Sequence, residues 1–316
     1  MRVPRLRASL IGGAVALALG GSLLMTAAPA SAASTPSANL AAKATGSAIT
    51  SMWAWGNPID PAVDARGQGD PEFAPKALAA FASAHKLKTV YLSVPWAADE
   101  GPFSSWLKAS ITALHRAGVT TVAALGGDPA WADDPDLAAT WTRAALKAAP
   151  FDAIQFDVEP WVDATEDELP GIVDKLATMY DAAADAARAV PVGADLPWWL
   201  AAKQNPAGGT LFGELLPHLD SVAIVAFVDH ARGDDGIIAL AGPAAREASV
   251  ARTPYSIGVE TDSPEVAGGP GATFGDDSAA LLESETALVR SAFSSVSGYA
   301  GVTVEHLLSW QDLIAK

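Results

Sequence analysis

Eight short apolar segments, each followed by a longer stretch of helical character, constrain this chain more than any other feature of its sequence. The apolar segments are Ile49–Trp55, Lys88–Val94, Val119–Leu125, Ala153–Val158, Pro191–Leu196, Ser221–Val228, Tyr255–Glu260 and Tyr299–Val304. Between them lie amphipathic stretches such as Pro75–His85, Phe103–Ala117, Asp136–Ala149, Glu166–Ala189 and Ser278–Phe293. Strands joined through helices pair in parallel, since a tight hairpin cannot set two parallel strands side by side. Eight such units, with starts spaced by roughly 30–40 residues, predict an α/β fold, a single (β/α)8 TIM barrel over residues 49–316. An open doubly wound sheet is the competing architecture, but no G-x-G-x-x-G follows the first strand.

The residues ahead of the barrel read as an export leader. Arg2, Arg5 and Arg7 precede an apolar run from Leu10 to Met25, and Ala30-Ser31-Ala32 supplies a small-residue cleavage site. A signal peptide over residues 1–32 and a disordered linker over 33–48 are therefore expected, with a secreted, extracellular product. No later stretch is long and apolar enough to span a bilayer, so no membrane partner is expected of the mature form. The chain has no cysteine, so disulfides, thiolate metal sites and a thiol nucleophile are excluded. Its formal net charge is −16, and loss of the three leader arginines makes it more negative. An acidic surface repels phosphate backbones, which predicts no nucleic-acid partner. The protein is expected to act as a monomer.

In such a barrel the C-terminal ends of the strands converge on one mouth, where chemistry is found. The sequence places Trp53, Trp55 and Asn57 at the first end, Trp96 at the second, and Asp128 and Trp131 at the third. Asp157, Glu159 and Trp161 follow at the fourth, Asp195, Trp198 and Trp199 at the fifth, and Asp229 and His230 at the sixth. The seventh ends in Glu260 and Asp262, and the eighth in Glu305, His306 and Trp310. Most tryptophans of the chain thus follow a strand, whereas core packing would scatter them. Indole faces stack on the apolar faces of sugars. Trp55, Trp96, Trp131, Trp161, Trp198 and Trp310 are accordingly expected to bind carbohydrate.

The fourth segment carries the sharpest signal. Strand side chains alternate with period two, so Gln155, Asp157 and Glu159 share one face, and Ile154, Phe156 and Val158 share the other. The apolar set must face the helices, which turns the polar ladder into the lumen with Glu159 nearest the mouth. The structural alternative is a ladder bonded to a neighbouring strand or to Lys or Arg, and no predicted strand end carries Lys or Arg. Burial of two carboxyls should raise the pKa of at least one and equip it to donate a proton near neutral pH.

Asp152 to Glu159 resembles the D-G-x-D-x-D-x-E strand of family 18 glycoside hydrolases, the chitinase-like barrels. Asp152, Asp157 and Glu159 match its first and third aspartates and its glutamate. The resemblance implies that Glu159 is the general acid and Asp157 its partner. Ala226-Phe227-Val228-Asp229 is similar to that family's M-x-Y-D segment, and Trp310 resembles the tryptophan flooring its subsite. Gln155, Ala153 and Phe227 depart from the pattern. A looser resemblance links the chain to the clan A retaining glycosidases, in which glutamates end strands four and seven. It gives Glu159-Pro160 the acid/base role and Glu260 that of nucleophile.

Glu159, Asp157 and Glu260 are thus the expected catalytic groups, and Asp128, Gln155, Asp195, Asp229, Glu305 and His306 the expected sugar ligands. The histidines lack a compact H-E-x-x-H spacing and no G-x-S-x-G elbow occurs, so neither a metal nor a cofactor is expected. The reaction expected is cleavage of O-glycosidic bonds in an extracellular glycan. A carbohydrate-binding barrel without turnover is the alternative.

Overall fold

The computed structural model describes residues 48–316. The expected leader and all of the linker except Ala48 lie outside them. Ala48 itself is buried, and its carbonyl accepts from the Val302 N–H, so it belongs to the barrel and not to a linker.

Eight strands, β1 (Ile49–Ala54), β2 (Thr89–Ser93), β3 (Thr121–Gly126), β4 (Ala153–Phe156), β5 (Val192–Pro197), β6 (Ser221–Val225), β7 (Tyr255–Glu260) and β8 (Tyr299–Glu305), form a closed sheet. Every neighbouring pair is parallel, and β8 closes on β1. The helices are α1 (Pro75–His85), α2 (Phe103–Arg116), α3 (Pro135–Ala148), α4 (Leu169–Ala187), α5 (Leu211–Leu215), α6 (Ile237–Ala251), α7 (Pro264–Ala267), α8 (Ala279–Phe293) and α9 (Leu307–Ala315). The chain is a (β/α)8 TIM barrel. Among the described residues no helix is long and apolar enough to cross a membrane.

Strand parity decides what each side chain meets. Val90, Leu92, Val122, Ala124, Ile154, Phe156, Val222, Ile224, Ile257, Val259, Val302 and Val304 are fully buried in one apolar shell with the inner faces of the helices. The opposite parity points into the lumen. There Ser51 Oγ meets Thr303 Oγ1 at 2.6 Å, and Thr303 Oγ1 donates to Ser256 Oγ at 2.8 Å. The Tyr91 hydroxyl joins the same pair. Two residues further along β1, the Trp53 indole fills the lumen, with its ring 5.8 Å from Tyr91. Room for it comes from Gly258 on β7, where a Cβ would stand 2.8 Å from the indole.

Several expected ends shift. The fourth strand stops at Phe156, although Asp157 N–H still donates to Gly126 O. The sixth stops at Val225, where Val228 N–H bonds back to Ala226 O in a tight turn. Pro243 lies within α6, breaking the apolar period that would have singled that helix out.

Candidate active site

β4 delivers the carboxyl ladder to the lumen as its alternation requires. Phe156 faces outward, packed against Trp131, Trp141 and Tyr180 at centroid separations of 5.6–6.1 Å. Gln155, on the other face, donates through Nε2 to Asp195 Oδ1 at 2.7 Å. Asp157 and Glu159 follow on that same lumen face, each only partly exposed, with fully buried Val158 between them.

Five carboxyls from four strands gather at this end. Asp157 and Glu159 come from β4, Asp195 from β5, Glu260 from β7 and Glu305 from β8, and they influence one another electrostatically. No lysine or arginine among the described residues offsets any of them. Burial is accordingly the first influence on all five and pushes each pKa up, because a charge removed from water is costly. Asp157 rises to about 6. Glu159 rises to about 8 through burial and the charge of Asp157, against a hydrogen bond from the Trp161 indole. Glu260 also rises to about 8 through burial, against two backbone hydrogen bonds. Those bonds run from Thr261 and Asp262 N–H to Glu260 Oε1, at 2.6 and 2.7 Å. Asp195 and Glu305 stand well above the usual carboxylate range, from burial and neighbouring carboxyls.

The expected sugar ligands separate into groups. Trp55 is half-buried beside Trp53 in the lumen, and Trp96 is exposed at the rim. Trp161 is nearly buried, edge-on to Trp199 at 5.8 Å, while Trp198 is half-buried against the apolar shell. Asp229 pairs with His230 Nδ1 at 2.6 Å at the end of β6, and His230 Nε2 reaches Asp235 at 3.2 Å. Asp128 is exposed, and its side chain caps a short helical turn by accepting from Ala130 N–H. The glycine-rich segment after β7 folds into α7 and a 3-10 turn, Pro270–Ala272, and Gly271 O accepts from Asp229 N–H.

Four expectations need correction. Trp310 does not floor the mouth: it lies in α9, 1 % exposed, against Phe81 and His85 of α1. Trp131 turns away from the lumen and packs on Trp141 and Phe156, which leaves it buried. Gln155 and Asp195 lie beneath the mouth, 1 % and 3 % exposed, and bond to each other instead of meeting a ligand. His306 Nδ1 accepts Leu308 N–H, and its Nε2 lies 3.3 Å from Asp262 Oδ1.

Sequence reading missed the second partner of Asp195. Trp53 Nε1 donates to Asp195 Oδ2 at 3.0 Å. Its parity with Ser51 and Trp55 was the available signal. Beside the mouth, between the α3 and α4 sides, a surface groove of about 520 Å³ is lined by Asp133, Pro160, Asp163, Asp167, Glu168 and Lys175, among others. None of the five clustered carboxyls lines it.

No family model matches the chain, and no curated protein does. Solved structures do. A GH18 chitinase from Pseudoalteromonas aurantia aligns with a TM-score of 0.53 at 11% identity, covering 84% of this chain and 98% of the other. A chitinase from Chromobacterium violaceum ATCC 12472 gives 0.50 at 10% identity, covering 84% and 98%. A putative deoxyribose-phosphate aldolase from Toxoplasma gondii ME49 is also similar, with 0.49 at 13% identity, covering 84% and 92%. At these identities the likeness is one of fold: the chain shares the barrel of solved family 18 chitinases.

Proposed function

We propose that this protein is an exported glycoside hydrolase that cleaves O-glycosidic bonds of an extracellular glycan, with Glu159 as proton donor. One observation carries the reading: a half-buried carboxyl pair, Asp157 and Glu159, with no cation against it among the described residues, on the lumen face where β4 opens into the mouth. A fold alone does not dictate chemistry, so the case rests on these side chains.

With a pKa near 8, Glu159 holds its proton at neutral pH and can pass it to the glycosidic oxygen as the C–O bond breaks. Glu260 supplies the second carboxyl. The pKa of Glu260 is also raised to about 8, so it must give up its proton before it can act, and the two N–H bonds to Oε1 are what favour its ionised form. A separation of about 5–5.5 Å would let Glu260 attack the anomeric carbon and retain configuration, and about 6.5–9.5 Å would admit a water and invert it. Trp55, Trp96 and Trp161 offer aromatic surface for sugar rings, and Asp229 and Glu305 are candidates for hydroxyl contacts. The leader expected over residues 1–32 fits an extracellular substrate.

The test is hydrolysis of a panel of nitrophenyl glycosides and soluble polysaccharides by the wild type and Glu159→Gln. Turnover of the polysaccharides, whose sugar leaving group needs a proton, that falls by roughly 100-fold or more in the variant supports the reading. An unchanged rate on the polysaccharides removes Glu159 as the acid, and sugar binding without turnover in the wild type identifies a binding barrel instead.

A further inference from the structure

The ends of β7 and β8 are laced together around Glu260. Its Oε1 accepts the consecutive N–H groups of Thr261 and Asp262, a small anion-binding nest. Among the described residues no donor reaches Oε2. Asp262 Oδ1 lies 3.3 Å from His306 Nε2. His306 Nδ1 accepts Leu308 N–H at 3.3 Å, so in the neutral ring the proton sits on Nε2, the nitrogen nearer Asp262. The turn has separate anchors on either side. Thr261 donates to Glu305 O through N–H at 2.7 Å and Oγ1 at 2.5 Å, and Asp262 O accepts from Thr273 Oγ1 at 2.6 Å. Only the Asp262 side chain depends on His306.

We propose that His306 and Asp262 are positioning residues for Glu260. Their contact holds the Asp262 side chain beside the turn whose two N–H groups hold Oε1, and it thereby steadies those groups and leaves Oε2 as the oxygen presented to the anomeric carbon or to its attacking water. The inference rests on the reading above, in which Glu260 is the second carboxyl of the reaction. His306 therefore acts through the protein, although the sequence suggested a sugar ligand. Neither residue needs to touch substrate. Because the turn keeps its other anchors, losing His306 loosens the nest without dismantling it.

Kinetics on the best-hydrolysed nitrophenyl glycoside of the panel test this in the full chain. His306→Ala and Asp262→Ala should each lower kcat roughly 10- to 100-fold, the cost of a misplaced reacting group. KM should stay within about twofold, since ground-state binding is untouched. His306→Gln and Asp262→Asn, which keep a donor facing an acceptor, should recover to within about threefold of wild type. Thermal melting shows whether each variant folds, and the two alanine variants are independent routes to the same loss. A rise in KM with kcat preserved would make His306 a sugar ligand and overturn the inference. So would unchanged kinetics in both alanine variants beside an inactive Glu260→Gln, a result that leaves the hydrolase reading standing. A Glu159→Gln variant that cleaves the polysaccharides at the wild-type rate removes that reading and this inference with it.

Discussion

Three influences of opposing sign set the protonation of Glu159. Burial and the charge of Asp157 raise its pKa to about 8, while the Trp161 N–H lowers it. An acid catalyst works only while protonated, so the rate should fall as pH rises through about 8. Asp157→Asn removes the negative neighbour and should move that alkaline limb to lower pH. Trp161→Phe removes the donor that favours the carboxylate and should move it the other way. A pH–rate profile of kcat/KM for the three proteins checks both signs at once. Limbs that coincide would mean that another group sets the titration.

At the scale of an element, the approach of β3 to β4 holds the ladder in place. A Cβ on Gly127 would overlap the carbonyl of Asp157, and Asp157 N–H donates to Gly126 O at 3.1 Å. Gly127→Ala should therefore push the end of β4 aside, lowering both thermal stability and kcat. Retained activity in a stable variant would show that this contact does not set the geometry. Parity along β4 could be read from the sequence because a two-residue period is a local property. Depth could not. Gln155 and Asp195 share the lumen parity of Glu159 yet bond to each other a level below it. Trp310 follows β8 by few residues, but α9 begins at Leu307 and carries the indole round to α1. Partners distant in sequence, Trp53 with Asp195 and Asp262 with His306, become visible only once the barrel closes.

For the whole molecule, the closed sheet leaves no strand edge and gathers five carboxyls at one end of the barrel, with no balancing cation among the described residues. The eightfold alternation made this architecture readable, since period and spacing survive even where individual strand ends shift. The cluster has a cost that depends on pH. A carboxyl whose folded-state pKa is raised holds a proton that the unfolded chain has already lost, so stability falls as pH climbs from the unfolded value toward the folded one. For Glu159 and Glu260 that window runs from 4.5 to about 8, and each can cost up to about 1.4 kcal/mol per pH unit within it. The melting temperature should drop between pH 5 and about 8, and Glu260→Gln should flatten the drop. A melting temperature that rises across this range would contradict the electrostatic picture.

Proton donation by Glu159 is tested most directly by comparing how Glu159→Gln slows two substrates of the same sugar. One carries a dinitrophenol leaving group, which needs no proton, and the other a sugar leaving group, which does. The account predicts a loss of roughly 100-fold or more for the sugar leaving group and under about tenfold for the dinitrophenyl glycoside. Equal losses for the two, or none for either, would contradict it.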